Sequence, residues 1–188
     1  LRDEKIATIY EGTNGIQALD LVGRKLGQRK GANVMNMAGL IQQTIVRAKK
    51  NADLAKHAAI LEEASNAVLE LTMFFAQAGK SGDFLLPVLN ACKFLEIFGD
   101  VVVGHLLLEA ADIASGKLAA IYEAQGATSP GKQKALQRSD KDAAFYSGRI
   151  ASAKFFVNEN LTTVKARCEA VKMGEKSALE LTEEAFAW

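Results

Sequence analysis

Between residues 16 and 26 the apolar positions Ile16, Leu19, Val22 and Leu26 recur every three or four residues, with Gln17, Asp20, Arg24 and Lys25 on the other side. That spacing predicts a short amphipathic helix. Thr13 or Asn14 can accept a bond from an early helical N–H group and cap its start, and Gly12 permits a tight backbone approach. Gly27 and the following QRKGAN interrupt the pattern with a linker of one sign of charge, so a boundary is expected here.

Four longer helical patterns follow. Residues 33–51 carry Val34, Met37, Ala38, Ile41, Ile45 and Ala48 on one stripe, and residues 54–78 carry Ala58, Leu61, Ala64, Val68, Leu71 and Phe75 on another. Residues 83–114 form the most apolar stretch and the expected central helix; Asp83 suits its cap, and Pro87 falls in the early turns, where a missing N–H matters less. From Ser115 to Arg138 the composition shifts to Gly, Ser, Pro, Lys and Gln, and SPGKQK predicts an exposed, mobile connection. A last long helix is expected from Ser139 or Asp140 to about Met173, with Ala144, Ile150, Phe155, Val157, Leu161, Val164 and Cys168 as its apolar contacts and Gly174 as its stop. The tail KSALELTEEAF adds a short helix ending at Phe186 and Trp188. Four such stripes bury one another most economically as an all-α, up-and-down antiparallel bundle preceded by a short N-terminal helix.

Composition narrows the function classes. In 188 residues, 23 Lys and Arg face 22 Asp and Glu for a net charge of +1, which excludes a nucleic-acid binder driven by bulk charge. The longest run without a charged side chain, residues 31–46, is interrupted by Asn33, Asn36, Gln42 and Gln43 and falls short of the ~20 apolar residues of a membrane helix. Cys92 and Cys168 lack partners for a disulfide framework or a metal and are expected to be buried as small apolar side chains, in keeping with a reducing, cytoplasmic setting. His57 and His105 have no metal-ligand spacing, so no metal site is expected, and His105 within VVVGHLLL should be a core residue with one satisfied hydrogen bond. Phe74, Phe75, Phe94, Phe98, Phe155 and Phe156 are assigned to the core. Arg24, Lys25, Arg29 and Lys30 are assigned to a solvated linker rather than a phosphate site. Leu1 in place of Met, without the grammar of a secretion signal, suggests a piece of a longer protein.

The segment RDEKIATIYEGTNGIQALDLVGRKL, Arg2 to Leu26, resembles the end of the flavin domain of acyl-CoA dehydrogenases, where an IYEGT turn carries the catalytic carboxylate. The remainder resembles the extra C-terminal helical domain of a bacterial subset, similar to the 3-methylmercaptopropionyl-CoA dehydrogenase type; SGRIASAKFFVNENL and ALELTEEAF carry that likeness. The resemblance implies residues 1–30 as the last segment of the dehydrogenase's helical bundle and 31–188 as an accessory bundle. It also implies α,β-dehydrogenation of an acyl-CoA thioester, with Glu11 as the base for the α-proton and the β-hydrogen leaving as hydride to FAD.

Such a base must lie within hydrogen-bonding reach of a proton that the polarised carbonyl has made acidic. Tyr10 and Gly12 are implied at the substrate, and Thr13, Asn14 and Gly15 at FAD. Many relatives have Gln where this chain has Gly15, which leaves backbone contact there without a side chain. The implied partners are an electron-transferring flavoprotein, the rest of the dehydrogenase chain and further copies in a homo-oligomer. The chain by itself is expected to be inactive and not to hold FAD. Taken alone, EGTNG is a loop and helix cap, and the alternative reading is a non-catalytic helical interaction or oligomerisation module.

Overall fold

The computed structural model describes residues 13–186, and every regular element among them is helical, in agreement with the expected all-α bundle. Eight α-helices run in the order α1 (Thr13–Asp20), α2 (Ala32–Ala48), α3 (Ala55–Lys80), α4 (Leu85–Leu89), α5 (Ala91–Ala124), α6 (Pro130–Ser139), α7 (Lys141–Asn160) and α8 (Val164–Lys172). The antiparallel pair α3 and α5 forms the centre. Helix α2 packs on both from one side, and α7 and α8, joined by a 3-10 turn at Leu161–Thr163, cover them from the other. Ion pairs Lys165–Glu63 at 2.8 Å and Lys172–Glu70 at 3.2 Å advance together along two helices, so α8 runs parallel to α3.

The predicted α3 stripe is buried at every named position, from Ala58 to Phe75, and it meets Ile41, Ile45 and Ala48 of α2 and Phe94, Ile97, Val101 and Leu108 of α5 in one core. The Phe75 and Phe94 rings pack tilted against each other with centroids 5.3 Å apart, and Phe94 and Phe98 likewise at 5.8 Å. Of the six phenylalanines assigned to the core, Phe155 is the exception, 68% exposed. Ala144 also faces water, because the buried face of α7 is the smaller-sided one of Ala143, Ala153 and Val157. Cys168 is buried as expected, whereas Cys92 is exposed.

The expected mobile connection from Ser115 to Arg138 is instead mostly helix. Ala111, Ala114 and Leu118 are buried, so α5 continues through Ser115 and Gly116 to Ala124. SPGKQK is a helix start: Ser129 Oγ accepts the Lys132 N–H at 3.4 Å, and Pro130 sits at the first helical position, where its missing N–H is harmless. Gln137 Nε2 then donates to the Tyr122 hydroxyl and ties α6 back to the end of α5.

Asp83 does not cap the next helix. Its carboxylate accepts from Lys176 Nζ at 2.5 Å, and the segment expected as one helix is split at Asn90 into α4 and α5. The buried Asn90 side chain donates to the Leu86 carbonyl at 3.0 Å, a local bond that competes with continued helix. Asp140 caps α7 by accepting the Ala143 N–H at 2.8 Å, and Gly174, at φ 71°, closes α8. The tail forms two exposed 3-10 turns, Ser177–Leu179 and Glu183–Phe186, rather than one helix; Trp188 lies outside the described residues.

Candidate functional site

Tyr10, Glu11 and Gly12 lie outside the described residues. Of the implied cofactor contacts, Thr13 opens α1, Asn14 is exposed and Gly15 is half-buried in the first turn. That turn carries no acidic side chain. The N–H groups of a first helical turn carry the positive end of the peptide dipoles. Such donors suit a phosphate or a ribose oxygen, and Gly15 adds no side chain to obstruct them.

Helix α1 is held against α5 through Ala18, which is fully buried. Here the expected stripe is rotated: Ile16 is 58% exposed and Leu19 is also exposed, while Leu21, Val22 and Leu26 reach the core. The rotation follows from a π-helical turn at Leu21–Lys25, in which Leu26 N–H donates to Leu21 O at 3.0 Å and one extra residue is spent per turn. A two-pronged Asp20–Arg24 pair, at 2.6 and 2.8 Å, spans the turn. The Arg24 guanidinium, helped by Lys25 at 3.4 Å, holds the Asp20 carboxyl below its ordinary range.

The chain then reverses sharply. Arg29 and Lys30 adopt left-handed backbone conformations at φ 50° and 59°, followed by Gly31 at φ 84°. Two adjacent side-chain-bearing residues in this region cost roughly 1–2 kcal/mol each. The expected linker is therefore a strained, ordered turn. Beside it lies a cleft of about 370 Å³ between the π-turn, the C-terminal half of α3 and α4, lined by Val22, Gly23, Leu26, Gly27, Thr72, Phe75, Ala76, Gly79, Phe84, Pro87 and Val88.

Two histidines occupy the seams. His105 on α5 is buried, with Nδ1 unpartnered, near the Arg47–Glu109 pair that joins α2 to α5 at 2.5 Å. The hydrogen bond expected for it is therefore missing at that nitrogen. His57 on α3 is likewise buried with a bare Nδ1, near Lys154 and Asp53. Burial lowers the proton affinity of both imidazoles. Burial also pushes the Cys168 thiol up to about 11, which removes it as a nucleophile. Among the described residues no cluster of three His, Cys, Asp or Glu could hold a metal, and no helix is long and apolar enough to cross a membrane.

Residues 37–182 match the family described as acetyl-CoA dehydrogenase C-terminal like. A butyryl-CoA dehydrogenase of Syntrophomonas wolfei is 31% identical over 188 residues, covering 98% of this chain and 28% of that protein. The broad-specificity linear acyl-CoA dehydrogenase FadE5 of Mycobacterium tuberculosis is 31% identical over 191 residues, 99% of this chain and 29% of its own length. A 3-methylmercaptopropionyl-CoA dehydrogenase of Ruegeria pomeroyi is 28% identical over 167 residues, 88% of this chain and 25% of its own length. The chain thus spans less than a third of the length of these relatives.

Proposed function

Because this chain belongs to the acyl-CoA dehydrogenase family, in the part described as acetyl-CoA dehydrogenase C-terminal like, we propose that it delivers the catalytic base for α,β-dehydrogenation of an acyl-CoA thioester. Glu11 takes the proton α to the thioester carbonyl. FAD, when bound, supplies the acceptor for the β-hydrogen. Gly12 leaves room for the thioester, and Tyr10 walls the cleft that excludes water from it. Thr13, Asn14 and Gly15 contact the polar part of FAD through the first turn of α1. The observation that carries this reading is that the IYEGT run leads directly into a helix whose first turn holds no acidic side chain and whose anchor on α5 is Ala18.

Residues 1–30 complete the dehydrogenase's helical bundle in this proposal, and residues 31–188 form an accessory bundle on the same body. The remaining groups that polarise the carbonyl and hold FAD come from the rest of a dehydrogenase chain. Positioning of that kind is worth on the order of 7–11 kcal/mol of barrier, so the 188-residue chain alone neither holds FAD tightly nor turns over. Electrons pass on to an electron-transferring flavoprotein, and the enzyme works as a homo-oligomer in the cytoplasm.

The test is Glu11→Gln in the complete dehydrogenase. Removing a positioned base lowers turnover on the order of 10²–10⁴-fold with flavin content unchanged. A second reading, a non-catalytic helical interaction module, is favoured by the exposed apolar side chains Val103, Leu106 and Ile113 along one stripe of α5. In that reading Glu11→Gln leaves turnover unaltered.

A further inference from the structure

We propose that the outward face of α7 is the contact between two copies of this chain, packed antiparallel about a twofold axis level with Ile150. The proposal rests on the homo-oligomer of the proposed function and gives it a surface; it does not depend on the role of Glu11.

Six residues form this face: Lys141, Phe145, Gly148, Ser152, Phe155 and Glu159. At about 100° per residue they fall within an arc of about 80°, on the side of the helix away from the buried Ala153 and Val157. All six are exposed, Phe145 to 55% and Phe155 to 68%. Their order is symmetric about Ile150, with one phenylalanine on each side, then one small residue on each side nearer the centre, and a lysine and a glutamate at equal distances beyond. Turning a second copy end for end therefore sets Phe145 beside Phe155, Gly148 beside Ser152 and Lys141 beside Glu159, each pairing made twice. A surface that complements its own rotated copy is what an isologous interface requires. A different partner gives no reason for this symmetry.

Local features of α7 point the same way. An added β-carbon at Gly148 would meet nothing within 4 Å, although glycine in an exposed helix is less stable than alanine. A second helix, approaching to about 8–10 Å between axes, uses the missing side chain. Lys141 stands in the first turn of α7 and Glu159 in the last, each against the helix dipole. Neither has an ion-pair partner among the described residues. Across the twofold axis each meets the opposite charge. The Phe145 ring is held in place beforehand, with the Arg149 guanidinium 5.1 Å from its centroid and the Tyr146 ring edge-on at 5.4 Å, so covering it costs little side-chain freedom. One helix pair about 30 Å long covers less than the roughly 1,200–2,000 Å² of a standard interface, so the association is micromolar in strength.

The experiment follows the intact chain by sedimentation velocity across the micromolar concentration range, where the wild-type chain is expected to form a dimer. Gly148→Leu, whose side chain grows away from its own fold, should weaken that dimer at least tenfold without lowering the melting temperature, and Phe155→Ser should do the same. Lys141→Glu or Glu159→Lys alone should weaken it about threefold or more at low salt, although each reversal suits the helix dipole and keeps the fold intact. The double reversal should restore the dimer, and the two single variants, when mixed, should pair with each other in preference to themselves. A wild-type chain that stays monomeric, a dimer unaltered by Gly148→Leu and Phe155→Ser, or a double reversal that pairs no better than the single ones would each overturn the proposal. None of these measurements involves turnover, so their outcome is separate from that of Glu11→Gln.

Discussion

At Gly104, where α5 meets the turn between α7 and α8, a β-carbon would approach Leu161 Cδ1 to 2.6 Å, whereas at Gly23 and Gly79 beside the cleft it would meet nothing within 4 Å. The same residue type thus serves opposite ends. In the α5–α7 seam, Gly104, Ala111, Ala114 and Ala153 let two long helices approach closely and interlock with Leu161 and Val157. Around the cleft, the small side chains coincide with irregular backbone and retained space. A close-packed seam has no slack for an extra methyl group, while an open wall absorbs one. The interlocked half behaves as a scaffold, and the gapped half, which adjoins α1, is where the fold can meet something else.

The sharpest contrast comes from removing volume in the scaffold. Phe94→Ala deletes a fully buried ring packed between Phe75 and Phe98, and should lower the unfolding free energy by about 3–5 kcal/mol in a denaturant titration. Adding volume comes next. Gly104→Ala should destabilise by about 1–3 kcal/mol, part of which returns when Leu161→Val is added and the clashing methyl can move aside. The same glycine-to-alanine change at Gly23 should have the opposite sign, a gain of about 0.5–1 kcal/mol, because the backbone is helical and the space is free. A loss of stability in Gly23→Ala would show that the cleft wall is packed and the comparison mistaken.

The two seam histidines add a pH dependence that the cleft lacks. Burial, the first cause for each, sets their folded proton affinity below the ordinary value of 6.5; Lys154 and Lys56 add to this at His57 while Asp53 opposes, and at His105 Glu109 opposes while Arg47 adds. The unfolded chain therefore takes up protons first as pH falls. Stability is full above the ordinary value and declines as pH drops through it. Urea midpoints between about pH 8 and about pH 5.5 should fall accordingly, and His105→Asn should shallow the slope.

Regular periodicity made the scaffold readable. On α3 the apolar residues return every three or four positions without interruption, and every one of the named residues from Ala58 to Phe75 is buried. The gapped half was not readable in this way. A π-turn inserts one residue into a pattern that looks uniformly helical, so Ile16 and Leu19 were placed on the buried face that Ala18 occupies. Composition misled at SPGKQK, where Ser129 and Pro130 make a good helix start and the flexible-looking residues form its first turn. Asn90 carried a break signal that the surrounding apolar run masked. The cleft joins residues 22–27 to residues 72–88, and a pairing so distant along the chain leaves no local pattern. The EGT turn was legible as a resemblance to known dehydrogenases, on the strength of contiguous residues from Arg2 to Leu26, and its Glu11 and Gly12 lie outside those described.

The role of Glu11 is tested most directly by hydrogen exchange at the substrate's α-carbon. The complete dehydrogenase would be incubated in heavy water with an acyl-CoA whose β-carbon is replaced by oxygen, so that proton removal can occur and hydride loss cannot. Glu11→Gln is expected to retain flavin and thioester binding yet lose α-hydrogen exchange by at least a hundredfold. Exchange at the unaltered rate in that variant would contradict the assignment of this side chain as the base.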